Sequence, residues 1–106
     1  QFAGICSLFD INKANRSATV GYWLGKSFQG RGLMTRTVRA LTEHAFIELH
    51  LNRVEIRAHP ENKPSRAIPE RLGFVLEGTL AEAEWLYDKY VDSCVYGITL
   101  NRWKTL

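Results

Sequence analysis

The chain predicts an α/β domain built on a mixed sheet. Three observations carry that expectation. Apolar residues recur at three- and four-residue steps between Met34 and Leu49, the rhythm of one helical face. The stretch RVEIRA at 53–58 alternates with a period of two, as a strand does. Along the chain the two patterns follow the order strand, strand, helix, strand, helix, strand, strand. The strand–helix–strand unit in the middle crosses over, so its two strands should run parallel. The hairpins on either side should be antiparallel, which makes the sheet mixed and mostly antiparallel.

Residues 2–8 form the expected first strand, with the small residues Ala3 and Gly4 inside it. The run DINKANR at 10–16 has turn chemistry and no apolar rhythm. Residues 18–24 are the second strand, paired with the first as a hairpin. Gly25 to Phe28 leaves the sheet, and Gln29-Gly30-Arg31-Gly32 reads as a glycine-rich turn. A helix is expected from about Gly32 to His50, with Met34, Val38, Leu41, Ala45 and Leu49 as its apolar stripe. Arg36, Arg39 and Glu43 lie on a face that reaches water, and Asn52 suits the stop. Residues 53–58 are the third strand. Residues 64–72 make a short helix with Pro64 in its first turn and Gly73 as its stop. Pro69 should kink it, because a proline removes one helical hydrogen bond. Residues 74–86 and 90–100 are two long strands joined at Tyr87-Asp88-Lys89, and Trp103 lies in a tail.

At 106 residues the chain is expected to be a single domain, 1–106. Apolar residues at 45% and charged residues at 24% suit a chain with a buried core. The net charge of +3 comes from cations spread along the sequence without interleaved aromatics, which argues against direct nucleic-acid binding. No apolar run is long enough to span a bilayer and none reads as a signal peptide, so no membrane contact and a cytoplasmic location are expected. Cys6 and Cys94 sit in apolar, strand-like surroundings without metal-ligand spacing and are read as two buried free thiols, with no metal. The opening residues already resemble an interior strand. The chain is therefore read as a fragment of a longer protein. A sheet edge left exposed in that way invites pairing with a second copy, a homodimer.

Two segments carry chemistry. The first joins the second strand to the long helix. Its glycines allow close approach, and the helix N-terminus behind it offers free amides and the positive end of a dipole. Such a site suits a phosphate, with Arg31 and Arg36 nearby to neutralise further charge. Without a following GK[ST] it is not a Walker motif, and it is not a full GxGxxG. The second segment is NKPSRAIPERLGF at 62–74. It reads equally as a helix cap, a short helix and a glycine stop.

Together these segments resemble the GNAT acyl-CoA N-acyltransferases. The family's QxxGxG/A turn is matched by Gln29, Gly30, Arg31 and Gly32, and its NxxSxxxxxxLGF segment by Asn62, Ser65, Leu72, Gly73 and Phe74. The strand–turn sequence GYWLG, LNRVEIR, and the EGTL and EWL pieces of the late hairpin are similar to the branch that acetylates N-terminal amines of ribosomal proteins. The resemblance covers nearly the whole chain and implies that the chain is the C-terminal part of a longer domain, with N-terminal strands and helices missing. It implies a sheet splayed around the cofactor in the central strand–helix–strand unit, and acetyl-CoA as cosubstrate. The backbone of Gln29, Gly30, Arg31, Gly32, Leu33 and Met34 would hold the pyrophosphate. Tyr22, Trp23 and Leu24 would pair with the pantetheine arm where the two parallel strands part, Asn62 and Ser65 would line the groove, and Phe74 would pack behind it.

The same resemblance implies a direct attack on the thioester by a primary amine, such as a protein N-terminus, with Glu84 as base and Ser65 as the acid that protonates the thiolate. Such a base needs a carboxylate near the acceptor, and Glu84 holds the position of a glutamate in that branch; read without the resemblance it is a solvated charge on a hairpin strand, as Glu82 beside it is. A backbone N–H around Leu24 would polarise the carbonyl. Two departures stand out. Met34 occupies a position that is Gly or Ala in the family and is expected to crowd the helix start. Pro69 stands where many members carry a tyrosine acid. Both leave open a non-catalytic acyl-CoA-binding or partner-binding module, and a small-molecule amine is the other acceptor to weigh. His44 and His50 read as structural or solvated, and His59 as a candidate substrate contact at the groove mouth. Trp23, Trp85 and Trp103 read as core or interface aromatics.

Overall fold

The computed structural model describes residues 4–24 and 28–106, with the backbone alone at 4, 24 and 28–31. The elements are β1 (Gly4–Asn12), β2 (Ser17–Leu24), α1 (Phe28–Ile47), β3 (Arg53–Ala58), α2 (Lys63–Arg71), β4 (Val75–Leu86), β5 (Lys89–Thr99) and α3 (Leu100–Lys104). They form one five-stranded sheet in the order β1-β2-β3-β5-β4. Only β2 and β3 run parallel, as a crossover through α1 requires; the other neighbours are antiparallel. The expected mixed, mostly antiparallel α/β fold is what the structure has.

The even-numbered residues of the central strands build the core. Ala18 and Val20 of β2, Val54 and Ile56 of β3, and Cys94, Tyr96 and Ile98 of β5 are buried in one cluster with Met34, Val38, Ala45 and Phe46 of α1 and Ile68 of α2. The helices thus cover one face. On the other face Ile5, Phe9, Trp23, Val75 and Leu80 are exposed.

Several boundaries differ from the sequence reading. The first strand runs on to Asn12, with an irregularity after Phe9 and Asp10 at a φ of 51°. The glycine segment is not a turn ahead of the helix: α1 starts at Phe28, so Gly30 and Gly32 lie inside it. Glycine weakens a helix by about 1 kcal/mol without forbidding it, and the packed stripe behind it outweighs that cost. The helix also ends earlier, at Ile47, where His50 turns left-handed at a φ of 55° and the Leu51 N–H donates to the Ala45 carbonyl at 3.0 Å. Leu49 is consequently exposed, and Thr42 and Phe46 complete the buried stripe.

Asn62 caps α2, its Oδ1 accepting from the Ser65 N–H at 3.2 Å. Gly73 ends that segment at a φ of 87°, as its place after the helix predicts. In the late hairpin Tyr87 and Asp88 both have positive φ, so a tight two-residue loop joins Leu86 to Lys89. The tail is a short helix, capped by Thr99, whose Trp103 ring packs 5.9 Å from that of Phe46. Both cysteines are free, but only Cys94 is buried; Cys6 is half-buried. No helix among the described residues is long and apolar enough to cross a membrane.

Candidate active site

The site begins where the parallel pairing stops. β2 and β3 are in register from Ser17 opposite Arg53 to Thr19 opposite Glu55. Both strands continue, β2 to Leu24 and β3 to Ala58, without further pairing between them. The result is a split in the middle of the sheet that opens toward the C-terminal ends of both strands. α1 starts four residues after β2 ends, and α2 five after β3 ends, so two helix N-termini stand at the open end. Ligands of open α/β sheets bind in such crevices.

The first turn of α1 carries no acidic side chain, and its amides lack helical partners. The backbone of Gln29, Gly30 and Arg31 forms this turn; their side chains, and that of Leu24, lie outside the described residues. Gly32, Leu33 and Met34 come after it, inside the regular helical ladder. A Cβ placed on Gly32 would meet nothing within 4 Å, so the protein's own packing does not require glycine there. Leu33 is exposed, whereas Met34 is buried in the core and therefore does not crowd the helix start.

On the helical side of the split, Tyr22 is half-buried and its hydroxyl donates to the Ser65 carbonyl at 2.6 Å. Burial, with smaller contributions from Cys6 and Tyr96, pushes the Tyr22 phenol well above its ordinary range, so it stays a proton donor. Ser65 is half-buried, and its Oγ makes no hydrogen bond among the described residues. Beyond it, Arg66 Nε donates to the Tyr96 hydroxyl at 2.9 Å, which in turn donates to Glu70 Oε2 at 2.7 Å. Burial raises the Tyr96 phenol and the bond to Glu70 adds to that, while Arg66 opposes both. Phe74 is buried in the same cluster.

On the other side lies a hollow of about 330 Å³ lined by Phe9, Asp10, Thr19, Val20, Gly21, Arg57 and Glu84. Gly21 has a local reason to be glycine: a Cβ there would sit 2.5 Å from the Phe9 ring. Glu84 belongs to β4, the far edge of the sheet, yet it lines the same hollow as β2. An irregularity between Leu80 and Glu84, with Glu82 at a φ of 49° and its N–H on Asp92 Oδ1 at 2.9 Å, precedes it. Glu82 does not line the hollow. The structure thus sets Glu84 and Ser65 beside opposite faces of one split.

Trp23 points to the exposed face and is 60% accessible. His59 stands apart, in a shallow hollow with Lys89, Tyr90 and Asp92, and its Nδ1 accepts from the Glu61 N–H at 3.1 Å. His44 and His50 are exposed. No group of residues that could hold a metal occurs among the described residues. The sequence reading missed the side chains of Phe9, Asp10 and Arg57 in the hollow, and the Tyr22 and Tyr96 hydroxyls. Tyr96 carried one signal, since it alternates with Cys94 and Ile98 on the buried face.

Residues 1–75 match the acetyltransferase (GNAT) domain model. The chain belongs to the GNAT acetyltransferase family. Within the family it is 40% identical over 98% of its length to YdaF of Bacillus subtilis (strain 168), provisionally named a ribosomal N-acetyltransferase. It is 36% identical over 91% of its length to the ribosomal-protein-serine acetyltransferase of Escherichia coli (strain K12). A spermidine N(1)-acetyltransferase of the same organism is 28% identical over 89%. These alignments cover 57%, 54% and 52% of the respective relatives, so the chain spans about half the length of the curated relatives it matches. Among solved structures, RimL, a ribosomal L7/L12 alpha-N-protein acetyltransferase in complex with coenzyme A, superposes with a TM-score of 0.85 at 35% identity, over 94% of this chain and 56% of that one.

Proposed function

We propose that the protein transfers an acetyl group from acetyl-CoA to a primary amine, the N-terminus of a protein of ribosomal type. The observation that carries this reading is the split between β2 and β3, with a carboxylate at one face and a serine at the other. A pantetheine arm carries amides of its own. It can lie in the split and pair with the strand backbone, which otherwise lacks partners there. The first-turn amides of α1, at Gln29, Gly30 and Arg31, face the pyrophosphate, and Arg36 adds charge outside them.

In the ternary complex the amine nitrogen attacks the thioester carbonyl carbon. The C–N bond forms and the C–S bond breaks. Glu84 takes the proton that leaves the nitrogen. Ser65 gives its hydroxyl proton to the departing sulfur and regains one from water. An N–H at the end of β2, around Leu24, polarises the carbonyl as charge develops on its oxygen. Residues lining the hollow beside Glu84 receive the acceptor.

The names of the Bacillus subtilis and Escherichia coli relatives support a ribosomal protein as acceptor and that of the RimL structure an alpha-amine, while the spermidine enzyme supports a small polyamine as the second reading. A non-catalytic acyl-CoA-binding module is the alternative from another class. Calorimetric titration with acetyl-CoA, with desulfo-CoA and ATP alongside, comes first, followed by an acceptor panel of N-terminal peptides and spermidine. We expect acetyl-CoA binding, turnover on peptides, and a loss of about 10²-fold or more in kcat for Glu84→Gln without loss of acetyl-CoA affinity. Binding without turnover on any amine would favour the module. Full activity of Glu84→Gln would remove that residue from the reaction.

A further inference from the structure

We infer that Tyr22 is a positioning residue for acetyl transfer: its hydroxyl, bonded to the Ser65 carbonyl that Pro69 leaves free, fixes the first turn of α2 across the split. The inference rests on the proposed role of Ser65 and adds to it the device that places that serine.

In a regular helix the carbonyl of residue 65 accepts from the N–H of residue 69. Pro69 has no N–H, so the Ser65 carbonyl lacks the donor that a regular helix supplies four residues on. A half-buried carbonyl without a partner is costly, and the Tyr22 hydroxyl supplies the missing bond at 2.6 Å. That donor comes from β2, on the other side of the split from β3. Meanwhile α2 is tied to the β3–β5–β4 half. Arg66 Nη1 donates to the Pro60 carbonyl at 3.0 Å, and Arg66 and Glu70 bracket the Tyr96 hydroxyl of β5 at 2.9 and 2.7 Å.

The first turn of α2 therefore spans the two halves of the sheet where they are not joined to each other. Tyr22 holds one end of that strut and Tyr96 the other. The distance from the β2 backbone, which polarises the thioester, to Ser65, which protonates its sulfur, is set by this strut. Seen this way, Pro69 opens the attachment point as well as replacing a family tyrosine. Tyr22 has no need to exchange a proton with substrate, and burial keeps its phenol in the donor form.

The test is a double-mutant cycle on the acetylating protein, with acetyl-CoA and the best amine of the panel. Tyr22→Phe removes the hydroxyl and keeps the ring. It should lower kcat about tenfold while KM for the amine and acetyl-CoA affinity stay within about twofold. In a Ser65→Ala background the same change should alter kcat less than about twofold, because the group being placed is gone. Adding Pro69→Ala to Tyr22→Phe gives the carbonyl a helical donor again but no tie to β2, and should not restore the rate. Equal losses in both backgrounds, an undiminished Tyr22→Phe, or full restoration by Pro69→Ala would each overturn the inference while leaving acetyl transfer intact. Should Tyr22→Phe fail to fold, Pro69→Ala alone decides, assayed below its own melting temperature because the buried ring is lost: its new N–H competes for the carbonyl and lowers kcat, and an unchanged kcat overturns the inference. A wild-type protein that acetylates no amine overturns the functional reading, and this one with it.

Discussion

Strand β3 has neighbours on both edges, and the two edges behave differently. Against β5 it is paired along its whole length, from Arg53 opposite Thr99 to Ala58 opposite Cys94. Against β2 it is paired only from Arg53 to Glu55. The closed edge is cemented on both faces. On the helical face Ile56 and Tyr96 lie opposite each other and fully buried. On the other face Arg53 reaches over β5 to Glu77 of β4 with two hydrogen bonds, 3.0 and 2.6 Å. Gly97 makes that bridge feasible, since a Cβ there would lie 2.7 Å from both partners. Past Thr19 the open edge has no strand pairing among the described residues, and the Tyr22 hydroxyl on the Ser65 carbonyl bridges it instead. Its backbone is left for something else to pair with, and the chemistry-bearing side chains gather there. One edge of a single strand thus carries stability and the other borders the candidate site.

The largest expected effect comes from breaking the closed edge. Ile56→Ala should cost about 2–5 kcal/mol in denaturant unfolding, because a fully buried side chain leaves a cavity. A smaller and opposite shift is expected beside the open edge. Gly32→Ala should raise stability by about 0.5–1 kcal/mol, as nothing in the protein obstructs the new methyl group. If the pyrophosphate approaches there, the same substitution weakens acetyl-CoA binding in calorimetry; a variant more stable and equally tight would move the cofactor elsewhere. The smallest effect returns to the closed edge. The Arg53 guanidinium holds the Glu77 carboxyl below its ordinary range. A lowered carboxyl pKa stabilises the fold above the unfolded-state value and loses that contribution as pH falls through the folded one. Glu77 is 39% exposed, so the pair is screened. Glu77→Gln should therefore lose under about 1 kcal/mol at neutral pH, and in urea titrations the difference from wild type should shrink as the pH falls through the lowered Glu77 pKa.

Much of the closed edge was legible in the sequence. RVEIRA alternates, so the third strand is found at its observed bounds, 53–58. The parallel partner followed from the crossover, and the stop at Gly73 from its position after a helix. The glycine segment was misjudged, because glycine signals a turn locally while the buried stripe of α1 extends the helix over it. Leu49 fits the helical period but lies beyond the left-handed turn at His50. At the candidate site, the residues of the two motifs were found through their resemblance to the family. Phe9, Asp10 and Arg57 were not, since nothing local marks three residues on two strands as neighbours of Glu84.

The sequence by itself determined the order of the elements and the single parallel pair, because hydrophobic period, glycine and proline act within a few residues of where they stand; the family was legible only through the resemblance of its two motifs. Only the tertiary structure decided that Glu84 of the far edge strand shares a hollow with β2, and that the Tyr22 hydroxyl meets the Ser65 carbonyl. Those outcomes depend on a strand irregularity, on where the pairing of two strands stops, and on groups 43 positions apart in the chain coming within hydrogen-bonding distance. A hydrogen bond is made in space, and neither of its partners records the other in its own neighbourhood of sequence.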